Sequence, residues 1–476
     1  MTREYKNHLT DWIENERLAY RALAPIHSLM VDRSVELLLF RKVLVNMNPV
    51  QLMKAHFYAR QISGKDIHIK DSLPIIEALA NMPLCPSRID IGRLTINWME
   101  ADQSGGLDAF LQKELDENLK EGAAEFKPRD VVLYGFGRIG RLLARILVEQ
   151  SGGGDALKLR AVVCRGKLDV HKRAQLLLRD SVHGPLAGNL EILEEEDALV
   201  ANGVYIKFIS ASSPDQVDYE AYGIHNALII DNTGVWRDRN GLGLHLKAKG
   251  ADRVLLTAPG KGDIPNIVYG VNHRGWGEDE QIFSAASCTT NAIVPPMKVL
   301  NDTFGIEYGH VETVHSFTND QNLLDNFHKK KRRGRSAPLN MVLTETGAAS
   351  AIAKALPELA GKVTGNAVRV PTPNISLAIL NLTLKSEVTT EEVNEALRMA
   401  ALEGGLVAQI DYTRNEEVVS SDMVGNTHTA IIDSLATITQ GNHATVYVWY
   451  DNEYGYSMQV ARVGRIICGV ERLRYY

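Results

Sequence analysis

One cysteine lies where its thiol could act as a nucleophile. Cys288 belongs to the run SCTTN at 287–291, which follows a β-prone stretch at 281–286 and precedes an apolar run at 292–300. The unpaired N–H groups and positive dipole end of a helix favour negative charge, so a thiol at this junction is expected to have a lowered pKa. Free cysteines are more often buried structural residues. The hydroxyl and amide side chains beside Cys288 favour the catalytic interpretation.

A histidine that could activate this thiol follows 27 residues later, because His315 lies on the predicted strand 311–317. A single histidine on a strand is more often structural than catalytic. A cysteine in an activating turn with a downstream histidine is nevertheless the pairing expected for a thiol nucleophile. The sequence therefore predicts Cys288 as the nucleophile and His315 as its base.

A glycine-rich turn indicates a dinucleotide cofactor. The motif GFGRIG follows the predicted strand 130–134 and opens the helical stretch 141–149, which is the context that a GxGxxG turn requires. The first glycine permits a tight bend, the second lets the backbone approach a pyrophosphate, and the third lets the helix pack on the strand. A purely structural turn is the alternative. We expect the whole motif to bind the cofactor: Gly135, Phe136, Gly137, Arg138, Ile139 and Gly140.

The residue after the next strand indicates which dinucleotide is used. An acidic residue there hydrogen-bonds the ribose 2′-hydroxyl of NAD, whereas an arginine accommodates the 2′-phosphate of NADP. After the predicted strand 159–164 the chain has Arg165, and its first carboxylate is Asp169. An exposed loop arginine is the alternative. Because a guanidinium can pair bidentately with a phosphate, the sequence favours NADP, or use of both cofactors.

Further polar residues fall at other predicted strand ends. Thr233 and Gly234 follow the strand 227–232, and Thr257 ends the strand 253–257. Doubly wound sheets bind ligands at the carboxyl ends of their strands. These residues are therefore expected at the same cofactor site.

Two other features suit phosphate. Thr346-Gly347 forms a second threonine–glycine turn, and Arg369 lies on a predicted strand.

The basic run at 329–335 carries six positive charges in seven residues, a pattern found in nucleic-acid patches. The acidic balance of the whole chain and the lack of interleaved aromatic residues argue against a nucleic-acid partner.

Composition limits the class of protein. The 476 residues include 45% hydrophobic residues and carry a net charge of -6, which predicts several well-packed domains and gives no reason to expect a membrane or nucleic-acid partner. The four cysteines are widely spaced, which argues against a disulfide framework or a zinc site. No signal peptide or membrane-spanning run is apparent. The sequence thus predicts a soluble, cytoplasmic protein without a bound metal.

The first 126 residues are predicted to be helical and carry no recognisable catalytic motif. Apolar residues recur at helical spacing up to the run Val35–Leu44, and helices are expected over 50–62, 72–82 and 108–121. A regulatory or partner-binding module and a packing extension both remain open. Beyond this extension, strands alternate with helices, which predicts a parallel sheet.

The motifs and their order resemble the phosphorylating glyceraldehyde-3-phosphate dehydrogenase family over residues 128–470, but not over the first 126. The segments that carry the resemblance are GFGRIGR (135–141), DSVHG (180–184), NTGVW (232–236), SAASCTTNAIVP (284–295), TVHSFTNDQ (313–321), TETGAA (344–349), RVPTPN (369–374) and WYDNEYGYS (449–457). The resemblance implies an α/β fold with a doubly wound Rossmann-type nucleotide domain and an α+β catalytic domain. It places the nucleotide domain at 127–287, completed by 452–476, and the catalytic domain at 288–451.

The resemblance also implies a role for each matching residue. Cys288 would be the nucleophile and His315 its base. Asn452 would fix the nicotinamide carboxamide with Tyr456 beside it. Inorganic phosphate would bind at Ser287, Thr289, Thr346 and Gly347, and the phosphate of the substrate at Thr318, Asp320 and Arg369.

The implied reaction is the reversible oxidation of glyceraldehyde 3-phosphate, with phosphate and NAD(P), to 1,3-bisphosphoglycerate through a cysteine thioester. The basic run would be the loop that packs against a neighbouring subunit in a homotetramer. Arg165 and the stretch 325–327 depart from the pattern of the NAD-type members, and NADP is favoured. Ala292 stands where the family usually has a second cysteine, which the chemistry does not need. The alternatives are an erythrose-4-phosphate dehydrogenase and a non-catalytic protein acting through its N-terminal extension.

Overall fold

The computed structural model describes residues 3–119, 127–152, 156–344 and 346–476, with the side chains of 3–6 left aside. The described residues form two compact units. The N-terminal unit lies within Met1–Lys127, Gly152–Ala156 and Val470–Tyr476, and the larger unit comprises Pro128–Ser151 and Leu157–Gly469.

The α-helices of the described residues are α1 Arg3–Arg33, α2 Pro49–Ser63, α3 Ile69–Asn81, α4 Ile91–Glu100, α5 Gly106–Glu114, α6 Asp116–Leu119, α7 Arg138–Glu149, α8 Val170–Leu178, α9 Arg239–Leu242, α10 Cys288–Phe304, α11 Ala348–Ala355, α12 Thr390–Leu402 and α13 Tyr454–Ile467. The strands are β1 Glu36–Leu39, β2 Lys42–Val43, β3 Ser87–Asp90, β4 Arg129–Tyr134, β5 Leu157–Cys164, β6 Arg179–Asp180, β7 Gly184–Pro185, β8 Leu190–Leu193, β9 Ala198–Ala201, β10 Val204–Ser210, β11 Ala227–Asp231, β12 Ala251–Leu256, β13 Ile282–Ser284, β14 Ile306–Ser316, β15 Val342–Thr344, β16 Val363–Val370, β17 Ser376–Leu384, β18 Ile410–Thr413, β19 Ala430–Gln440, β20 His443–Tyr450 and β21 Leu473–Tyr475.

Helices dominate the N-terminal unit, as predicted, and their ends follow from local sequence. At the start of α2, Asn48 accepts a hydrogen bond from the Gln51 N–H, while the Gln51 side chain accepts one from the Asn48 N–H. Pro49 takes the first helical position and Gly64 ends the helix at φ 70°. The helix predicted over 108–121 is divided into α5 and α6, and its last two positions lie outside the described residues.

The run Val35–Leu44 is not helical, and that prediction is wrong. It forms the antiparallel pair β1–β2, with Leu38 opposite Val43. All four residues of β1 are buried, and Phe40 and Arg41 make the turn at positive φ. A short, fully buried strand has no alternation of polar and apolar residues, so its pattern resembles that of a helix. The unit therefore contains a sheet of order β2-β1-β3-β21.

The nucleotide-binding part of the larger unit is a doubly wound sheet, as predicted. Its strand order is β13-β12-β11-β4-β5-β10-β9-β8, with β4 paired in parallel with both β5 and β11. The chain thus continues to one side of β4 and later returns to the other side. This reversal opens a crevice at the carboxyl ends of β4 and β11, where such folds bind ligands.

The second part of the larger unit is a mixed seven-stranded sheet of order β15-β16-β14-β17-β20-β19-β18, which α10 contacts through β14, β17, β19 and β20. The parallel register of β14 and β16 places His315 beside Arg369. Together the two sheets give the predicted combination of a Rossmann-type domain and an α+β domain.

The end of the chain is shared between the two units. Helix α13 packs against α7 in the nucleotide-binding part. Residues 470–476 do not complete that domain, since they group with the N-terminal unit, where β21 pairs in parallel with β3.

Within the described residues, no helix has the length and hydropathy needed to cross a membrane.

Candidate active site

The cysteine turn is a strand-to-helix junction, as predicted. Helix α10 begins at Cys288, and Ser287 is its N-cap, with Oγ accepting a hydrogen bond from the Thr290 N–H at 3.0 Å. Ala286 adopts φ 55°, a left-handed conformation that is unusual for alanine. Backbone strain of this kind persists only where the surroundings enforce it. The side chains that surround the turn therefore matter for the position of the thiol.

Buried side chains hold this turn in place. The Tyr456 hydroxyl donates to the Ala286 carbonyl at 2.9 Å. Asn291 Nδ2 donates to the carbonyls of Ala285 and Ser287, and Gln459 Nε2 donates to Asn291 Oδ1. Tyr456 was expected at the cofactor, and the structure uses its hydroxyl for the turn. Sequence reasoning missed Asn291 and Gln459, although the amide within SCTTN was a visible signal.

The structure brings Cys288 and His315 into contact. The Cys288 sulfur lies 3.6 Å from His315 Nε2, and His315 is only 6% exposed. His315 Nδ1 lies 2.7 Å from the Ser316 carbonyl, which can only accept a hydrogen bond. Taken alone, this contact favours the tautomer with hydrogen on Nδ1, in which Nε2 can accept a proton from the thiol. The Arg369 guanidinium, which can only donate, competes for the same Nδ1.

Arg369 sets the electrostatics of the pair. Its Nη1 donates to the Ser316 carbonyl at 2.8 Å and lies 2.9 Å from His315 Nδ1. Burial, with the Arg369 charge as the next cause, lowers the pKa of His315 to about 3. Burial raises the pKa of the Cys288 thiol, and Arg369 and the hydrogen bonds of Thr289 oppose that rise.

The expectation of a lowered thiol pKa is therefore wrong for this arrangement. Desolvation outweighs the helix N-terminus and the Arg369 charge at Cys288, because removing a thiolate from water is costly. Near neutral pH the pair is thiol and neutral imidazole. A reaction that used the thiolate would need proton transfer from Cys288 to His315, whose Nε2 lies 3.6 Å from the sulfur.

Asn452 lies in the same region with one end of its amide fixed. Its Oδ1 accepts hydrogen bonds from the hydroxyls of Ser316 and Ser376, both at 2.9 Å. Because Ser316 follows His315 directly, this contact links the asparagine to the strand of the base. The amide nitrogen thus remains as the donor toward a ligand.

The expected phosphate-binding residues occupy two places. Thr346 precedes α11, where its Oγ1 accepts a hydrogen bond from the Ala348 N–H at 3.2 Å, and Gly347 is the N-cap. Thr289 Oγ1 lies 3.1 Å from the Tyr450 hydroxyl at the first turn of α10. Since α10 and α11 contact each other, both helix N-termini belong to one part of the fold.

The loop after β14 holds the other expected phosphate ligands. Thr318 is half-buried, and the exposed Asp320 forms an ion pair with Arg333. Arg333 also donates to Thr344 Oγ1 at 2.9 Å. Asp320 is therefore committed to a partner, and Arg333 is an additional cation that sequence reasoning treated only as part of the basic run.

The glycine turn has the geometry that a dinucleotide requires. Gly135 adopts φ 102°, and a Cβ on Gly140 would overlap the Gly135 carbonyl. A Cβ on Gly137 would meet no atom within 4 Å, so the backbone there is open to a ligand. Phe136 is buried with its ring 5.4 Å from that of Phe208, and Ile139 is partly buried. The turn therefore fits a pyrophosphate at the N-terminus of α7.

The Arg138 side chain serves the protein rather than a ligand. Its guanidinium forms ion pairs with Asp180 and Glu453. His183 joins this group, since its Nε2 lies 3.2 Å from Asp451 Oδ2. Asp180 and His183 come from the DSVHG motif, to which sequence reasoning gave no role. Only the backbone N–H of Arg138 is left for the cofactor.

The remaining expected cofactor residues lie at strand ends around the crevice. Thr233 donates through both its N–H and its Oγ1 to the buried Asp231, each at 2.7 Å, and Gly234 adopts φ 63°. Thr257 Oγ1 donates to the Asp231 carbonyl at 3.1 Å. Arg165 is exposed after β5. These positions and the glycine turn together fit a nicotinamide dinucleotide.

Comparison with known proteins agrees with this architecture. The model of the glyceraldehyde 3-phosphate dehydrogenase NAD binding domain matches residues 129–239, and that of the C-terminal domain matches residues 287–452. A glyceraldehyde-3-phosphate dehydrogenase-like protein of Pseudomonas aeruginosa (strain UCBPP-PA14) is 54% identical over 90% of this chain and 94% of its own length.

Shorter relatives match only part of the chain. Glyceraldehyde-3-phosphate dehydrogenase 2 of Trichormus variabilis is 41% identical over 71% of this chain and 98% of its own length, and glyceraldehyde-3-phosphate dehydrogenase 2 of Bacillus subtilis is 40% identical over 69% and 94%. Fold, site and matches define an oxidoreductase with an NAD-binding domain. The chain belongs to the glyceraldehyde-3-phosphate dehydrogenase family.

Proposed function

We propose that the protein oxidises glyceraldehyde 3-phosphate, with inorganic phosphate and NAD(P), to 1,3-bisphosphoglycerate through a thioester on Cys288. The observation that carries the proposal is the contact of Cys288 Sγ with His315 Nε2 at 3.6 Å at the start of α10. A thiol, a base and a nearby cation are the groups that covalent aldehyde chemistry needs.

In the first step the Cys288 sulfur adds to the aldehyde carbon. His315 Nε2 accepts the thiol proton, and the imidazolium that forms is held by the Ser316 carbonyl on Nδ1. The developing oxyanion can accept hydrogen bonds from the Cys288 backbone N–H and from the protonated His315. This arrangement stabilises charge only as it develops, which is the condition for acceleration.

The bound nicotinamide would accept a hydride from the hemithioacetal carbon, which leaves the acyl group on Cys288 as a thioester. The glycine turn would hold the pyrophosphate, and the Asn452 Nδ2 would donate to the carboxamide. Its Oδ1 is already bound by Ser316 and Ser376, so the amide cannot turn without breaking two hydrogen bonds.

The thioester would then be attacked by inorganic phosphate, releasing an acyl phosphate and the thiol. Ser287, Thr289, Thr346 and Gly347 lie at the N-termini of α10 and α11, where backbone N–H groups favour an anion. Thr318, Asp320 and Arg369 would hold the phosphate of the substrate, with Arg333 adding charge beside Asp320.

NADP is the favoured cofactor. Within the described part of the chain Arg165 forms no ion pair with a carboxylate, and its side chain is exposed at the end of β5. An unpaired guanidinium at this place can bind the adenosine 2′-phosphate.

We also propose that the protein is cytoplasmic and assembles as a homotetramer. The loop that includes the basic run exposes large apolar side chains, among them Leu324 at 71% and Phe327 at 93%, which suits contact with a neighbouring subunit. Light scattering on the purified protein would test the tetramer.

Initial rates with glyceraldehyde 3-phosphate test the reaction, with NAD and NADP compared in the presence and absence of phosphate. We expect phosphate-dependent turnover, a preference for NADP, and loss of turnover in Cys288→Ala. Turnover with NAD alone would remove the cofactor assignment and leave the reaction. Activity with erythrose 4-phosphate only would identify the other substrate, and a folded protein inactive with both would contradict the enzymatic proposal.

A further inference from the structure

A tryptophan side chain lies beside the arginine that follows β5. Trp236 follows β11 and the Thr233-Gly234 turn, and Arg165 follows β5. The guanidinium carbon of Arg165 lies 5.7 Å from the centre of the Trp236 ring. The prediction of NADP from the sequence rests on Arg165 and gives Trp236 no role.

Two buried rings hold the Trp236 ring in position. The centre of the Trp236 ring lies 5.7 Å from that of Tyr134 and 5.9 Å from that of His245, and both pairs are arranged edge-on. A Cβ on Gly241 would lie 2.8 Å from Trp236 Cδ1, so the ring occupies space that any other residue there would fill. Neither neighbour can move easily, because Tyr134 and His245 are buried to 1% and 0% exposure.

His245 in turn is tied to the cofactor turn. Its Nε2 lies 3.1 Å from Asp231 Oδ2, and the other oxygen of Asp231 accepts both hydrogen bonds from Thr233. The ring of Trp236 and the Thr233 turn are thus supported by the same buried Asp231–His245 pair. A displacement of Trp236 would be resisted by groups that also hold the cofactor site.

Stacking on an aromatic ring suits an arginine that must bind phosphate. A cation is attracted to the face of an indole, which is the strongest natural partner for such contacts. A guanidinium can lay its flat face on an aromatic ring, and its N–H donors then point outward in the plane. Arg165 can therefore be held by Trp236 and still present a bidentate edge to a phosphate.

We propose that Trp236 is a specificity-determining positioning residue, which stacks on Arg165 and holds its guanidinium ready for the 2′-phosphate of the dinucleotide. The inference rests on the proposed NADP preference and deepens it. Trp236 acts through Arg165 and not on the reacting atoms, so its loss should weaken recognition of the 2′-phosphate without changing the chemical step.

Calorimetric titration of the full chain with adenosine 2′,5′-bisphosphate and with 5′-AMP separates this role from a general one. The two probes differ only in the 2′-phosphate. For Trp236→Leu we expect about 2- to 30-fold weaker binding of the bisphosphate, the range of a cation–π contact, and unchanged binding of 5′-AMP. Trp236→Phe keeps an aromatic face and should lie between Trp236→Leu and the wild type.

A double-mutant cycle with Arg165→Ala completes the test. Since Trp236 acts through Arg165, Trp236→Leu should have no further effect on bisphosphate binding in the Arg165→Ala background. Additive effects, or equal weakening of both probes, would overturn the inference and leave the NADP preference standing. A wild type that binds both probes equally would overturn the preference and the inference together, whether or not glyceraldehyde 3-phosphate is turned over.

Discussion

At the scale of single residues, the thiol and the imidazole start uncharged, and Arg369 is the group that biases them. Its positive charge lowers the pKa of Cys288, against the rise caused by burial, and also lowers the pKa of His315. The same charge therefore favours the thiolate and disfavours the imidazolium. A phosphate bound at Arg369 would offset the charge and ease protonation of His315.

Replacing Arg369 by leucine should raise the pKa of the Cys288 thiol, since one of the influences that lower it is removed. We expect the pH midpoint of Cys288 alkylation by iodoacetamide to move upward by about one unit, the lower end of the effect of a close charge. Because burial already raises the pKa of the wild-type thiol, rates of inactivation of the phosphate-free protein between about pH 8 and 12 would measure the shift.

Arg333→Leu is the matched control for this shift. Arg333 influences His315 and Arg369 but is not among the groups that act most on Cys288, so its loss should leave the midpoint nearly unchanged. An unchanged midpoint in Arg369→Leu would show that the Arg369 charge does not act on the thiol.

The pairing of Cys288 with His315 in space could be predicted from sequence, but the protonation state of the pair could not. Cys288 and His315 have types and settings that suggest their pairing, and the structure places them in contact. The pKa of the thiol depends on the extent to which residues distant in sequence shield it from water. Tyr450 and Tyr456 reach the site from more than 160 positions away. Neither spacing nor residue type reports that desolvation.

At the scale of elements, the first turn of α10 depends on an amide network. Asn291 is fully buried, donates to two carbonyls of the turn and accepts from Gln459. Asn291→Ala would leave three buried polar groups without this partner. We expect the local opening free energy of the turn to fall by about 2–4 kcal/mol, which native-state hydrogen exchange of the Thr290 and Asn291 amides would measure.

Tyr456→Phe is the graded comparison, because it removes one hydrogen bond to Ala286 and keeps the ring. The expected loss of protection in the same amides is about 1 kcal/mol. Amides of α12, which has its own capping box at Thr389 and Glu392, should exchange as in the wild type. Equal loss of protection in α12 would mean that the unit as a whole is destabilised.

Elements with a strong local signal could be predicted, and those that depend on distant partners could not. The N-cap residue, the first-turn proline and the terminating glycine of α2 can all be identified from the sequence. The predicted span of the helix differs from the observed one by a single residue at each end. The run Val35–Leu44 predicts a helix but forms β1 and β2, since a short buried apolar run fits either structure. β21 pairs with β3 across almost the whole chain, and no local pattern indicates such a partner.

At the scale of the whole molecule, both chain ends contribute to one sheet. Leu473–Tyr475 continues the sheet of β1, β2 and β3, and the Arg88 side chain donates to the Tyr476 hydroxyl at 2.9 Å. A relative such as the Trichormus protein aligns along 98% of its length with 71% of this chain. Such a relative is shorter than this chain, and this chain ties its last residues into the N-terminal unit.

These observations decide where a truncation should end. Removing residues 1–127 alone leaves the β21 segment without β3, and an unpaired strand edge promotes aggregation. We expect a chain of residues 128–469 to turn over glyceraldehyde 3-phosphate at a rate near that of the full protein, and a chain of residues 128–476 to aggregate more. Specific activity per titrated Cys288 thiol, with light scattering, would measure both. A chain of residues 128–469 that binds cofactor but has no turnover would show that the N-terminal unit is needed for catalysis, since cofactor binding would rule out simple unfolding.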